Sequence, residues 1–144
     1  MADERVVSVK LEQIEQYYGE LREKQRSLSR ETYVESTTER RAVERMFENA
    51  IQACADLAKH VATRDFGWDG SSSKEAITVL ANEAVIEEAT ADTLVSAIGF
   101  RNVLAHEYGR VDTGEVFDTL QTGLEVYTSY SQEVARWYQT DRDD

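Results

Sequence analysis

A run of eight residues in the last third of the chain carries side chains that could perform acid–base chemistry: Arg101-Asn102-Val103-Leu104-Ala105-His106-Glu107-Tyr108. It contains one of the chain's two histidines, and the ordinary pKa of histidine, about 6.5, suits proton transfer at neutral pH. Arg101 offers a planar, permanently charged fork that can stabilise a phosphate or an anionic transition state. Asn102 lies four residues before His106, so both share one side of a helix. The pattern indicates proton transfer beside a bound anion.

Other kinds of catalysis have less support in the sequence. The chain has two histidines and one cysteine, and neither histidine follows a glutamate by three residues, as the metal sites of helical bundles require. No glycine-rich phosphate loop and no Gly-x-Ser-x-Gly elbow is present. We therefore expect neither a metal nor a cofactor in the chain itself. RNA cleavage needs neither, because the 2′-hydroxyl of RNA is the nucleophile and the enzyme only has to shuttle protons and stabilise charge.

The wider stretch from Gly99 to Tyr108 resembles the Arg-x4-His-x-Tyr signature of the HEPN superfamily and, within it, the HepT-like toxin family. It follows the family's hydrophobic-Arg-Asn-x-Leu-x-His-x-Tyr wording almost position for position. The resemblance extends to the long helical segment at 39–64, so most of the chain takes part. It implies a metal-independent RNA-cleaving toxin in which Arg101 and His106 are the ribonuclease pair. Asn102 would hydrogen-bond the phosphate or hold His106.

The resemblance also implies partners and a control point. One histidine cannot be acid and base in the same step, but a two-fold homodimer that brings two motifs together would supply both groups. HEPN relatives place the motif in a cleft between protomers. In HepT-like toxins the tyrosine at the position of Tyr108 accepts adenylyl groups from a small MntA-like nucleotidyltransferase antitoxin, which uses ATP as the donor. Gly109 would leave that hydroxyl accessible. The alternative is a tyrosine that only packs at the helix end.

Composition predicts one domain, residues 1–144, because 144 residues with 41% hydrophobic content can build a core. No apolar run is long enough to span a membrane, and the N-terminus lacks a signal-peptide region, so we expect a cytoplasmic protein. The net charge is -12, and arginines outnumber lysines twelve to four. Such acidity disfavours nucleic-acid binding, but it is typical of halophilic surfaces, and at molar salt the Debye length is about 3 Å. Local cations such as Arg101 and Arg110 would then remain free to act.

The pattern of apolar residues predicts an antiparallel bundle of about five helices. The chain has no proline, which permits long helices throughout. We expect a turn at 27–36, a loop at 66–73, and a contact with the second subunit along Leu94, Val95 and Ile98. The first predicted helix covers about 4–26, and the second covers 37–64 after a Ser36-x-x-Glu39 capping box. A third begins at the capping box Ser72-x-x-Glu75, and a fourth runs from Thr90 to Gly109. The last begins at Asp112-x-x-Glu115 and ends in a frayed tail. The buried stripe of the second helix is Val43, Phe47, Ile51, Cys54, Leu57 and Val61.

The remaining residues with chemical potential have structural interpretations. Cys54 lies on the apolar stripe and is expected to be a small buried hydrophobe. His60 is expected near a helix C-terminus, where a protonated histidine is favourable to the macrodipole. Trp68 and Trp137 are expected to pack, with base stacking as the alternative for Trp68.

Three hypotheses follow from the sequence. The leading one is an RNA-cleaving toxin of a toxin–antitoxin pair that acts as a homodimer. The second is a non-catalytic helical binding module that dimerises and engages a nucleotidyltransferase or a nucleotide. The third is a bundle without a ligand, in which the Arg-His-Tyr set only caps a helix.

Overall fold

Helices form almost the whole structure. The computed structural model describes residues 1–143, with the backbone alone for Tyr108 and for 141–143. Within this range there are α-helices, one 3-10 turn and no strand, so the predicted all-α fold is confirmed. The 3-10 turn is Tyr108–Arg110. The helices are α1 (Glu4–Ser27), α2 (Arg30–Glu35), α3 (Thr37–Phe66), α4 (Ser73–Asn82), α5 (Glu88–His106), α6 (Thr113–Thr122) and α7 (Glu125–Asp143). No helix in the described range is long and apolar enough to cross a membrane.

The central helix is α3, and its predicted stripe is buried along its whole length. Cys54 in the middle of that stripe is 1% exposed, and its carbonyl accepts a hydrogen bond at 2.9 Å from the hydroxyl of Tyr130 on α7. The predicted role of Cys54 as a buried hydrophobe is confirmed, and burial raises the pKa of its thiol. The predicted N-caps are also confirmed, because the side chains of Ser36, Ser72 and Asp112 each accept from the backbone N–H three residues on.

The structure has two more helices in the described range than the five predicted. The segment predicted as a turn contains α2, whose Tyr33 is fully buried against the ring of Phe117 and whose Arg30 pairs with Asp118. The last helix breaks at Gly123, where a Cβ would lie 2.9 Å from the carbonyl oxygen of Thr119. That close approach admits only glycine, and the chain turns there into α7.

The start of α5 also differs from the prediction. Thr90 is not the N-cap, since the helix begins at Glu88 and its cap residue, Glu87, makes no side-chain capping bond. Glu133 of α7 takes over this role: its carboxylate accepts from the backbone N–H of Glu87 and from the hydroxyl of Thr90, both at 2.8 Å. A carboxylate at a helix N-terminus is stabilising, so α7 fixes the beginning of the motif helix.

The predicted dimer stripe on α5 was wrong for two of its three residues. Leu94 is 0% exposed and Ile98 is 5% exposed, because this side of α5 packs into the protomer's own core. Only Val95 is partly exposed. The solvent side of α5 instead carries Val95, Gly99 and Val103, which helical spacing places close together.

Candidate active site

The motif occupies the last turns of α5, and its arginine lies on the side that faces the core. Arg101 follows Leu94 by seven residues, which on a helix brings both to nearly the same angle. Its side chain is half-buried, and its Nε atom is buried without a hydrogen-bond partner among the described residues. An unpaired buried donor costs about 1–3 kcal/mol, and such groups in native structures call for an explanation. An anionic ligand that accepts from this N–H would provide one.

The other two predicted catalytic residues lie on the solvent side of α5. Asn102 and His106 are both exposed, one helical turn apart. On an ideal helix Arg101 and His106 are about 140° apart, so the backbone directs them to different sides. The guanidinium of Arg101 nevertheless extends toward the solvent side, where its Nη1 lies 3.5 Å from Oδ1 of Asn102. Within one protomer Arg101 therefore contacts Asn102, whereas the described contacts include no hydrogen bond between Arg101 and His106.

The helix ends earlier than predicted, directly after the histidine. α5 stops at His106 rather than Gly109, and Glu107 leaves helical geometry with φ -124° and ψ 51°. The following 3-10 turn is closed by the N–H of Arg110, which donates to the carbonyl of Glu107 at 2.8 Å. The side chain of Tyr108 lies outside the described residues, so the accessibility of its hydroxyl stays a prediction.

Arg110 is not the free cation that the sequence suggested. Its Nη1 lies 2.9 Å from Oε1 of Glu107 in an exposed ion pair. Together with Gly99 and Val103 of α5, the two residues border a groove of about 420 Å³ that also contains the carboxylates of Asp112 and Glu115. Three carboxylates against one paired arginine repel phosphates. Asn102 and His106 do not line this groove, so an anionic substrate is favoured beside these two side chains rather than in the groove.

The second histidine, His60, binds the N-terminal segment and does not act as a cation at a helix C-terminus. Nε2 of His60 accepts from the backbone N–H of Asp3 at 2.9 Å, which requires that nitrogen to be unprotonated. Burial and the neighbouring Arg64 lower the pKa of His60. The predicted macrodipole role was therefore wrong, because α3 continues to Phe66 and His60 is not in its last turn.

Both tryptophans pack, as predicted. The indole N–H of Trp68 donates to Glu75 at 3.0 Å, and Gly70 lies against its ring, where a Cβ would approach to 2.8 Å. The ring of Trp137 contacts Phe66 at 6.0 Å between centroids. In the described part of the chain, no group of three or more His, Cys, Asp or Glu side chains could hold a metal ion.

Comparisons with known proteins agree with this architecture. The chain resembles a tRNA nuclease HepT from Aphanizomenon flos-aquae, with 25% identity over 129 residues that cover 90% of this chain and 87% of the relative. It also resembles an mRNA nuclease HepT from Shewanella oneidensis, with 26% identity over 83 residues, 58% of this chain and 62% of the relative.

The solved structures that it resembles have the same fold. A tri-AMPylated Shewanella oneidensis HEPN toxin in complex with an MNT antitoxin superimposes with a TM-score of 0.83 at 21% identity, covering 94% of this chain and 99% of the other. The cytosolic protein YutE from Bacillus subtilis, of unknown function, gives 0.81 at 18% identity, covering 97% and 93%. The family model described as ribonuclease HepT-like matches residues 14–134, and the chain therefore belongs to the ribonuclease HepT-like family.

Proposed function

We propose that the chain is an endoribonuclease and the toxin of a toxin–antitoxin pair, with Arg101, Asn102 and His106 as its catalytic residues. The observation that carries the proposal is the intact motif at the open end of α5, with an exposed histidine and, five residues earlier, an arginine that has an unused buried donor. Membership of the ribonuclease HepT-like family supports it. Two similar proteins are named tRNA nuclease and mRNA nuclease.

The proposed reaction needs proton transfer and charge stabilisation and no metal. The 2′-oxygen of the RNA attacks the adjacent phosphorus and gives its proton to the imidazole of one His106. The bond from phosphorus to the 5′-oxygen breaks, and that oxygen takes a proton from a second imidazole. The products are a 2′,3′-cyclic phosphate and a 5′-hydroxyl. Arg101 stabilises the extra negative charge on the phosphate oxygens, because a preorganised donor there needs no reorganisation during the reaction. Asn102 holds a phosphate oxygen or His106.

The second imidazole comes from a second copy of the chain. A single protomer exposes one His106 on the solvent side of α5, and the only other histidine is bound to the backbone of Asp3. The solvent side of α5 offers Val95, Gly99 and Val103, all partly buried already within the protomer. A two-fold contact across this side would bring two copies of Asn102 and His106 into one cleft. We therefore place the dimer contact on these residues and not on the buried Leu94 and Ile98.

Silencing is proposed to occur by adenylylation of Tyr108. The tyrosine oxygen would attack the α-phosphorus of ATP held by an MntA-like nucleotidyltransferase, and pyrophosphate would leave. A structural neighbour is a tri-AMPylated toxin bound to an MNT antitoxin, which supports this form of control. The added phosphodiester could pair with Arg101, since phosphate–arginine contacts are charge-assisted and often bidentate. The nucleotide would then occupy the cleft meant for RNA.

RNA cleavage by purified variants tests the proposal. We expect the wild-type chain to cut RNA, and His106→Ala and Arg101→Ala each to lose about 10²- to 10⁴-fold in rate while keeping the fold. His60→Ala is the matched control, because it removes the other histidine and should leave the cleavage rate unchanged. A wild-type chain that binds a nucleotidyltransferase without cutting RNA would instead identify a non-catalytic binding module.

A further inference from the structure

A lysine from another helix lies on the same strip of α5 as the proposed catalytic residues. Nζ of Lys74, the second residue of α4, is 3.6 Å from the position that a Cβ on Gly99 would occupy. Gly99 precedes His106 by seven residues, so both point in nearly the same direction, about 10 Å apart along the helix axis. Asn102 lies between them. An ammonium, a carboxamide and an imidazole therefore line one strip of the solvent side.

The ammonium of Lys74 has no partner among the described residues. Two other lysines of the chain are paired, Lys10 with Asp56 at 3.4 Å and Lys24 with Glu39 at 2.7 Å. Lys74 is exposed, and its Nζ makes neither an ion pair nor a hydrogen bond in that part of the chain. A cation without a carboxylate is unusual on a chain whose net charge is -12. Gly99 also borders the groove that holds Glu107, Asp112 and Glu115 and belongs to the proposed dimer contact. The ammonium therefore lies at the edge of the cleft between the two copies, where it is available to an anion from outside the protein.

The position of Lys74 in its own helix is unfavourable for a cation. It lies in the first turn of α4, where the partial positive charge of the helix N-terminus disfavours a cation. Its ammonium reaches α5 because Gly99 has no side chain. Among the described residues outside α5, this Nζ is the atom that lies within 4 Å of the Cβ position of Gly99. The arrangement leaves a positive charge beside Gly99, about one turn of α5 before Asn102.

We propose that Lys74 binds a backbone phosphate of the RNA next to the phosphate that reacts at His106, an inference that rests on the proposed ribonuclease function. An ammonium is a point charge that recognises phosphate and not bases. Lys74 thus contributes to RNA affinity without sequence preference. Because its ammonium lies near Gly99, about two helical turns from His106, it acts on binding and not on the chemical step.

Two variants of Lys74 and one control separate this role from a general effect of charge. Lys59→Ala is the control, because it removes the same charge from α3. Phe47 marks where α3 meets α5, since its ring contacts Phe100, and Lys59 lies about 18 Å further along α3. Binding of a labelled single-stranded oligoribonucleotide is measured by fluorescence anisotropy on a His106→Ala background, so that the RNA is not cut. We expect Lys74→Ala to raise Kd about tenfold, as for one lost charge-assisted contact. The slope of log K against log salt should flatten by about 0.7.

The kinetic readout distinguishes binding from chemistry. In the active background Lys74→Ala should raise KM and leave kcat unchanged, Lys74→Arg should restore KM, and Lys59→Ala should change neither. Equal Kd values and salt slopes for Lys74→Ala and Lys59→Ala would overturn the proposal. A fall in kcat at constant KM, or loss of the dimer in sedimentation, would overturn it as well, since the ammonium would then serve chemistry or the second copy.

The two proposals can fail separately. A wild-type chain that does not cut RNA overturns the proposed function, while the Kd values still decide the role of Lys74. A wild-type chain that cuts RNA with Lys74→Ala unimpaired overturns only the role of Lys74. Failure of the His106→Ala chain to bind RNA at low salt overturns this role too.

Discussion

The carboxylate of Glu133 anchors the start of the motif helix, and its removal should destabilise the fold without abolishing chemistry. It accepts two hydrogen bonds at 2.8 Å, from the N–H of Glu87 and from the hydroxyl of Thr90. Losing a helix cap costs about 1 kcal/mol. Thr90 is only 7% exposed, and leaving its hydroxyl unpaired adds about 1–2 kcal/mol. Glu133→Ala should therefore lower the free energy of unfolding by about 2–3 kcal/mol, which for a chain of this length lowers Tm by about 4–12 °C.

Thermal unfolding followed by circular dichroism measures this effect. Glu23→Ala is the matched control, because Glu23 is exposed on α1 and the same substitution there should stay within about 0.5 kcal/mol of wild type. Thr90→Val should cost less than Glu133→Ala, and the double variant should cost less than the sum, since both changes break one shared contact. Equal Tm values for Glu133→Ala and Glu23→Ala would show that the carboxylate of Glu133 does not stabilise the start of α5. Additive losses in the double variant would show that Glu133 and Thr90 do not share one stabilising contact.

Three further predictions concern the dimer contact, the N-terminus and the control point. Gly99→Leu should fold, because among the described residues outside α5 only Nζ of Lys74 lies near its Cβ position, but it should sediment as a monomer, because the new side chain would enter the proposed dimer contact. Gly19→Leu, on an open surface of α1, should stay dimeric. His60 stabilises the fold in its neutral form with a lowered pKa, so its contribution should be complete above about pH 6.5 and be lost as the pH falls through the lowered pKa. The difference in Tm between wild type and His60→Ala should therefore shrink on acidification, and a constant difference would contradict this. Tyr108→Phe should fold, dimerise and escape adenylylation, which intact-mass measurement after co-expression with the nucleotidyltransferase checks; adenylyl mass that persists in this variant would move the acceptor elsewhere.

Local signals in the sequence were sufficient for most of the helices. The spacing of Val43, Phe47 and Ile51 predicted the buried side of α3, because apolar residues on a helix must recur at its own period. Ser36 and Ser72 predicted helix starts, because their side chains satisfy free backbone donors within three residues. These features depend on neighbours in the chain, which a sequence displays directly.

The features that the sequence did not reveal depend on contacts between distant segments. The cap of α5 comes from Glu133, 46 residues after Glu87, and no local pattern connects them. The contact of Lys74 with Gly99 exists only because α4 packs on α5. The side of α5 that holds Arg101 was not predicted either. Its spacing of seven residues puts it on the side of Leu94, which the sequence analysis assigned to the second subunit and which the structure buries in the protomer's own core.

The most direct test of the account is the chemical identity of the ends that cleavage leaves on RNA. Purified wild-type chain and His106→Ala are incubated with a defined oligoribonucleotide in the presence of EDTA, and the products are analysed by mass spectrometry. We expect cutting by wild type alone, with a 2′,3′-cyclic phosphate or its opened 3′-phosphate on one fragment and a 5′-hydroxyl on the other. A 3′-hydroxyl end, or loss of cutting with EDTA, would contradict a metal-independent attack by the 2′-hydroxyl at Arg101 and His106.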